Sequence, residues 1–181
     1  MNIQKHCLFI VLMTGLIYAP VHAASSDIDF KGTLVAEPCV VATGNDGDNV
    51  VVDFGTIPGK TFYSAYGHRT WLQPFHILLK ECDLTLGKEV KITFTGTADA
   101  EQPELLAMSS SNGVSHLAIG IQSDTGKEIP VSQQMDSYIL TTGSTQLNFK
   151  AYVQASDEGV ANKSVGTGTF DAVSTFELEY P

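Results

Sequence analysis

Apolar and polar residues alternate in short runs along most of the chain. In residues 88–98, Val90, Ile92 and Phe94 alternate with polar side chains. Alternation with a period of two is typical of a β-strand that buries one face. Comparable runs, alternating or continuously apolar, predict further strands at 32–42, 49–57, 75–82, 116–123, 146–155 and 168–181.

Turn-forming residues separate these runs. Clusters of Gly, Asn, Asp and Ser occupy 43–49, 109–113, 123–127, 141–145 and 156–163. No long helical period is present, and we expect only a helical turn at Glu104–Ala107. Residues 58–72 predict a long loop or a bent connection. About seven short strands joined by turns predict an all-β sandwich in a single domain.

The start of the chain has the pattern of a secretory signal peptide. Lys5 precedes a short apolar run at 7–19, and the small residue Ala23 follows. An apolar run of this length with a cleavage-like end indicates a removable signal rather than a membrane anchor. We therefore expect residues 1–23 to be removed, and Cys7 with them. No second membrane span is expected.

The charge and length of the mature chain limit the kinds of partner that it is expected to bind. Cleavage after Ala23 leaves 158 residues, with 9 basic and 20 acidic side chains and a net charge of −11. Such a chain should repel nucleic acid and anionic lipid. Of the 3 cysteines, Cys39 and Cys82 remain. An even number of cysteines in an exported chain predicts one disulfide, which the chain-entropy model values at roughly 4 kcal/mol.

Signals for catalysis or metal binding are weak. The mature histidines, His68, His76 and His116, lack metal-ligand spacing, and His76 falls on the polar face of its strand. No serine lies in a G-x-S-x-G setting. The "NDGDN" run at 45–49 could bind calcium, but it lacks the spacing and the closing Glu of an EF-hand loop. We expect no cofactor and no enzymatic activity.

Both ends of the mature chain are strand-like. Ile28, Phe30 and Leu34 share one face of the stretch that precedes Cys39, with Gly32 between them. Phe176, Leu178 and Tyr180 share a phase in the last stretch, which continues to the final residue. A strand at the very end of a sandwich needs neighbours on both sides or stands as an open edge.

With these features the chain resembles the pilin subunits of chaperone–usher fimbriae. The resemblance is carried by the extension "DIDFKG", the entry "GTLVAEPC" and the two cysteines. It is also carried by the C-terminal "GTFDAVSTFELEYP", with Gly168 fourteenth from the end and Tyr180 penultimate. "KITFTGTAD" and "LAIGIQSDTGKEI" are similar in style to the family. The order and spacing of the motifs cover the whole mature chain.

The resemblance implies an immunoglobulin-like sandwich that lacks its final strand and is completed by a donor strand. It divides the chain into a signal peptide (1–23), an N-terminal donor-strand extension (24–34) and a pilin domain (35–181). The donor residues it implies are Ile28, Phe30, Gly32 and Leu34. The implied accepting edge, which also binds the chaperone, comprises Gly168, Phe170, Ala172, Phe176, Leu178, Tyr180 and the terminal Pro181.

The resemblance further implies three kinds of partner: a periplasmic pilus chaperone, an outer-membrane usher and neighbouring pilus subunits. The chain would pass through the periplasm to the surface fimbria of a Gram-negative bacterium and support adhesion. Its single domain and short extension favour a minor, adaptor or tip subunit over a rod pilin or a two-domain adhesin, and an assembly terminator stays possible. The alternative is a secreted sandwich that acts alone as an adhesive or lectin-like module.

Overall fold

A computed structural model of the chain describes residues 36–64, 67–110, 113–135 and 137–181. Its strands are β1 Val40–Val41, β2 Gln73–Cys82, β3 Glu89–Thr95, β4 Leu106–Ala107, β5 Ser109–Ser110, β6 Leu117–Ser123, β7 Tyr138–Ile139, β8 Gly143–Ala155, β9 Phe170–Asp171 and β10 Thr175–Glu179. The helices within these ranges are the α-helix α1 Asp157–Ala161 and 3₁₀ turns at Gly44–Asp46 and Gly59–Tyr63.

The strands form two main sheets. The large sheet has the order β1-β2-β8-β6-β4, and the small sheet has the order β10-β3-β7. The remaining strands, β5 and β9, pair with each other. All of these pairs are antiparallel. The longest ladder joins β2 to β8 and sets Ile77 opposite Leu147.

The core lies where the two sheets face each other. Val90, Ile92 and Phe94 of β3 are almost fully buried, as their alternation predicted, and they pack with Ile77 of β2 and Phe149 of β8. The rings of Phe94 and Phe149 meet edge to face, with centroids 5.0 Å apart. Such aromatic pairs add to the free energy already gained by burying the apolar surface.

The predicted disulfide between Cys39 and Cys82 is present. It joins the residue before β1 to the last residue of β2, and both side chains are buried in the core. Next to it, Val40 pairs with Lys80 and Val41 with Leu79. The bond thus ties a two-residue edge strand to a central strand of the large sheet.

The sequence-based expectation of an all-β, incomplete immunoglobulin-like sandwich is confirmed. The predicted strands at 75–82, 88–98, 116–123 and 146–155 are found as β2, β3, β6 and β8. Within 32–42 only β1 is a strand in the described part. His76 lies on the polar face as expected, 3.4 Å from the Asp46 carboxylate.

Three local predictions are wrong. Residues 49–57 do not form a strand, because no described strand lies beside them to complete a ladder. The predicted helical turn at Glu104–Ala107 is replaced by β4, whose Leu106 is buried and pairs with Ile119 of β6. The predicted continuous strand at 168–181 is split into β9 and β10.

The split in the last strand has a structural reason, since its two halves pair with different strands. β9 pairs with β5, whereas β10 pairs with β3. Between them the Ser174 hydroxyl donates to the Thr95 carbonyl oxygen at 2.9 Å, and the Thr95 hydroxyl donates to the Thr175 carbonyl oxygen at 3.1 Å. These side-chain bonds hold the chain where it leaves one partner for the other.

Candidate functional site: an open apolar groove

The last strand leaves one edge of the small sheet open. β10 pairs with β3 along its whole length, with Phe176 opposite Phe94 and Leu178 opposite Ile92. It stands last in the order of its sheet, and no other described strand pairs with its outer edge. An unpaired strand edge is a template for a strand from another chain.

A groove of about 1100 Å³ lies beside the C-terminal segment. Two segments line it, namely residues 165–176, the C-terminal lip, and residues 48–57, the N-terminal lip. The floor consists of apolar side chains from the sheets, namely Phe75, Ile77, Phe94, Leu117, Ile119, Ile121 and Ala151. Phe75 and Ile119 of this floor are half-buried, whereas the other five side chains are already buried in the core.

The C-terminal lip and β10 keep the predicted period of two. Phe170, Ala172 and Phe176 are half-buried, whereas Asp171 and Thr175 between them are exposed. The pattern persists through Ala172–Ser174, although the ladder is broken there. The inward side chains therefore form a continuous apolar wall.

The N-terminal lip mirrors this arrangement. Val50, Val52 and Phe54 are half-buried, whereas Val51 and Asp53 are exposed. Two of its backbone N–H groups are bonded by nearby side chains: Val51 donates to the Asn45 side chain at 2.7 Å and Gly55 to Asp53 at 2.8 Å. The lip is thus extended chain held by local bonds, with no described strand beside it.

The predicted accepting residues do not all occupy the same part of the groove. Gly168, Phe170, Ala172 and Phe176 line it. Leu178 and Tyr180 lie past it and pack against the core, and Pro181 is exposed at the chain end. Burial, and to a smaller extent the negative charge of Glu37, raises the pKa of the Tyr180 hydroxyl.

The predicted donor residues Ile28, Phe30, Gly32 and Leu34 lie outside the described residues, as does the signal peptide. The N-terminal lip was not among the predicted site residues. Its signal was present in the alternation of Val50, Val52 and Phe54, which predicted a strand whose partner the sequence could not identify.

The described part of the chain contains no helix long and apolar enough to span a membrane. The "NDGDN" residues bond within the chain, with Asp48 accepting the Gly44 N–H at 2.5 Å and Asp46 lying near His76.

Comparison with known proteins identifies the family. The family model described as "Fimbrial protein" matches residues 28–181, which is most of the chain. The chain belongs to the fimbrial protein family. This fimbrial subunit is 34% identical over 163 residues to the fimbrial adapter PapK of Escherichia coli, covering 87% of this chain and 89% of PapK.

Solved structures agree with the family assignment. The crystal structure of the P pilus rod subunit PapA matches with a TM-score of 0.66 and 25% identity, covering 80% of this chain and all of PapA. A subunit in the structure of a chaperone–usher pilus matches with a TM-score of 0.65 and 25% identity, over 90% of this chain and 100% of that one. The protein is a structural subunit of a chaperone–usher surface fimbria, not an enzyme, and it interacts with other subunits in the pilus.

Proposed function

We propose that this fimbrial subunit is polymerised by donor-strand exchange. The observation that carries the proposal is the apolar groove between the two lips, beside the open edge of β10. A strand from a neighbouring subunit fills the groove, pairs its backbone with the open edge and covers the half-buried apolar side chains of the lips. Adding a strand to an exposed sheet edge is a recognised mode of peptide binding, and the complementation of pilins by a donor strand is an established example of it.

The extension 24–34 plays the donor part toward the next subunit. Ile28, Phe30 and Leu34 share one face and suit a row of apolar pockets, and Gly32 suits a narrow point between them. Three buried apolar side chains stabilise the joint by about 5–9 kcal/mol as an upper estimate. A slip of one residue would place Asp29 and Lys31 in the groove, which sets the register.

Before polymerisation a periplasmic chaperone lends a strand to the same groove, and an outer-membrane usher exchanges it for the donor of the next subunit. The need for a chaperone follows from the half-buried apolar side chains of the two lips and from the unpaired edge of β10, which would otherwise associate with other incomplete chains. The assembled fimbria supports adhesion. The similarity to the adapter PapK supports a minor, adaptor-type position.

Expression of residues 24–181 with and without a periplasmic pilus chaperone tests the proposal. We expect aggregated protein without the chaperone and a 1:1 complex with it on size exclusion. A soluble, stable monomer in the absence of the chaperone would contradict the proposal and favour a sandwich that acts alone.

A further inference from the structure

The charged side chains that line the groove all have the same sign. They are Asp48 and Asp53 on the N-terminal lip and Asp171 on the C-terminal lip, and no lysine, arginine or histidine lines the groove among the described residues. Glu177 and Glu179 continue the series on the exposed face of β10. Both sides of the groove therefore present carboxylates to solvent.

These carboxylates have little compensation from basic residues. In the described part of the chain none of the five forms an ion pair with another described residue. Asp48 and Asp53 accept backbone N–H groups of Gly44 and Gly55. Glu179 lies opposite Lys91 across the ladder.

The position of the carboxylates makes them neighbours of whatever strand fills the groove. In a sheet, side chains on the same face of adjacent strands lie about 4.5–5.5 Å apart, where opposite charges stabilise and like charges destabilise the pair. A donor strand that points its apolar residues at the floor points its other residues outward. Those outward residues share the solvent side of the groove with Asp53 and Asp171, the exposed aspartates of the two lips.

We infer that this groove selects a donor strand with basic outward residues and discriminates against a second copy of this chain. This inference rests on the proposed function. The outward positions of this chain's own extension hold Asp27, Asp29, Lys31 and Thr33, which are more acidic than basic. The occupant is therefore the extension of a different subunit, with lysine or arginine where this chain has Asp27 and Asp29.

Two exposed valines support a long basic side chain at these positions. Val51 on the N-terminal lip is 68% exposed and Val173 on the C-terminal lip is 79% exposed, each two residues from a lip aspartate. Lysine and arginine lay their methylene stems along apolar surface and keep the charged end in water. A basic outward residue can thus cover a valine and reach the neighbouring carboxylate.

A peptide-exchange experiment tests this inference. The mature chain, purified as its chaperone complex, is mixed with one of four peptides. The natural peptide is residues 24–36, and the basic peptide carries Asp27→Lys and Asp29→Lys. The other two are the natural and the basic peptide, each with Phe30→Asp. We expect the basic peptide to bind about tenfold more tightly than the natural one at low salt, with the ratio shrinking at high salt. Both Phe30→Asp peptides should fail to displace the chaperone.

Variants of the groove complete the test. Asp53→Asn with Asp171→Asn should remove the preference for the basic peptide, whereas the matched pair Asp157→Asn with Glu158→Gln on α1 should keep it. Equal binding of both Phe30-containing peptides, or tighter binding of the natural one, would overturn the inference and leave donor-strand exchange intact. Binding of the basic Phe30→Asp peptide would also overturn the inference, because attraction alone would then suffice. Failure of both Phe30-containing peptides would overturn the inference, because the basic residues would then confer no binding, and would leave donor-strand exchange to be judged by the expression test with and without the chaperone.

Discussion

The rings of Phe54 and Phe170 meet across the groove, with their centroids 6.3 Å apart and their planes tilted by 46°. One ring belongs to each lip, so this contact links the two segments that line the groove. Both rings also pack against the second apolar cluster around Phe62 and Val153. The pair thus belongs to the wall of the groove and to the core beneath it.

Replacement of one of these rings should disable the groove. Phe170→Asp removes a half-buried aromatic side chain and places a charge in an apolar wall, which is costly without a partner. We expect the amount of chaperone complex recovered by co-purification to fall about tenfold or more. Asn162→Asp is the matched control, because it adds the same charge at an exposed position outside the groove. Equal recovery of the two variants would argue against a binding role for the C-terminal lip.

The donor role of the extension is tested separately. Phe30→Asp should leave the chaperone complex intact, because the groove of the variant is unchanged. It should block addition of this subunit onto its neighbour, since a carboxylate cannot enter an apolar pocket without a large loss of solvation free energy. Ser25→Asp adds the same charge before the alternating stretch and should polymerise normally. Pilus assembly on cells, detected by subunit ladders on gels, distinguishes the variants, and normal ladders with Phe30→Asp would exclude a donor role for this side chain.

Loss of the disulfide should weaken the subunit without altering the groove directly. The double variant Cys39→Ala with Cys82→Ala opens a loop whose ends are 43 residues apart in sequence, and the expected loss in unfolding free energy is about 4 kcal/mol. Thermal unfolding of the chaperone complex, with and without a reductant, measures it. The reductant should destabilise the natural protein and have no effect on the variant. An unchanged midpoint in the variant would show that the core alone holds β1 to β2.

The ion pair between His116 and Glu101, with Nδ1 2.9 Å from the carboxylate, should make stability depend on pH. The bond to Glu101, and to a smaller extent the charges of Glu158 and Asp99, raises the pKa of His116. Hydrogen bonds from Ser156 and then from His116 lower the pKa of the Glu101 carboxyl. Because the pKa of His116 is higher in the folded protein than in the unfolded chain, His116 stabilises the fold at pH values below its pKa in the unfolded chain, and this stabilisation is lost as the pH rises through its pKa in the folded protein. Because the pKa of Glu101 is lower in the folded protein than in the unfolded chain, Glu101 stabilises the fold at pH values above its pKa in the unfolded chain, and this stabilisation is lost as the pH falls through its pKa in the folded protein.

The contribution of the pair is therefore largest between about pH 4.5 and 6.5, the ordinary values of the two groups. His116→Asn tests this, because His116 has a φ of 61°, a conformation that asparagine tolerates. Melting temperatures of the variant and the natural protein should differ most in that window and converge at alkaline pH. A difference that stays constant with pH would assign the effect to packing instead.

The strands of the core were predictable because their pattern is local. In residues 88–98 the alternation of apolar and polar residues was enough to predict which side chains of β3 are buried, because successive side chains of a strand point to opposite faces. The N-terminal lip shows the limit of this reasoning. Val50, Val52 and Phe54 alternate as in a strand, yet no described strand pairs with them. The turn expected at Glu104–Ala107 failed because pairing with β6 and burial of Leu106 outweighed local propensity.

The sequence by itself determined the class of the fold, the two cysteines of the disulfide and the shared phase of Phe176, Leu178 and Tyr180 in the last stretch. These follow from spacing and from the alternation of side chains along an extended chain. Only the tertiary structure decided that residues 48–57 and 165–176 line the same groove, that the last strand changes partner at Ser174, and that Asp53 and Asp171 both belong to this groove. Residues so far apart in sequence are brought together by the pairing of strands and the packing of side chains on the shared core, and no local pattern records which segment will be the neighbour.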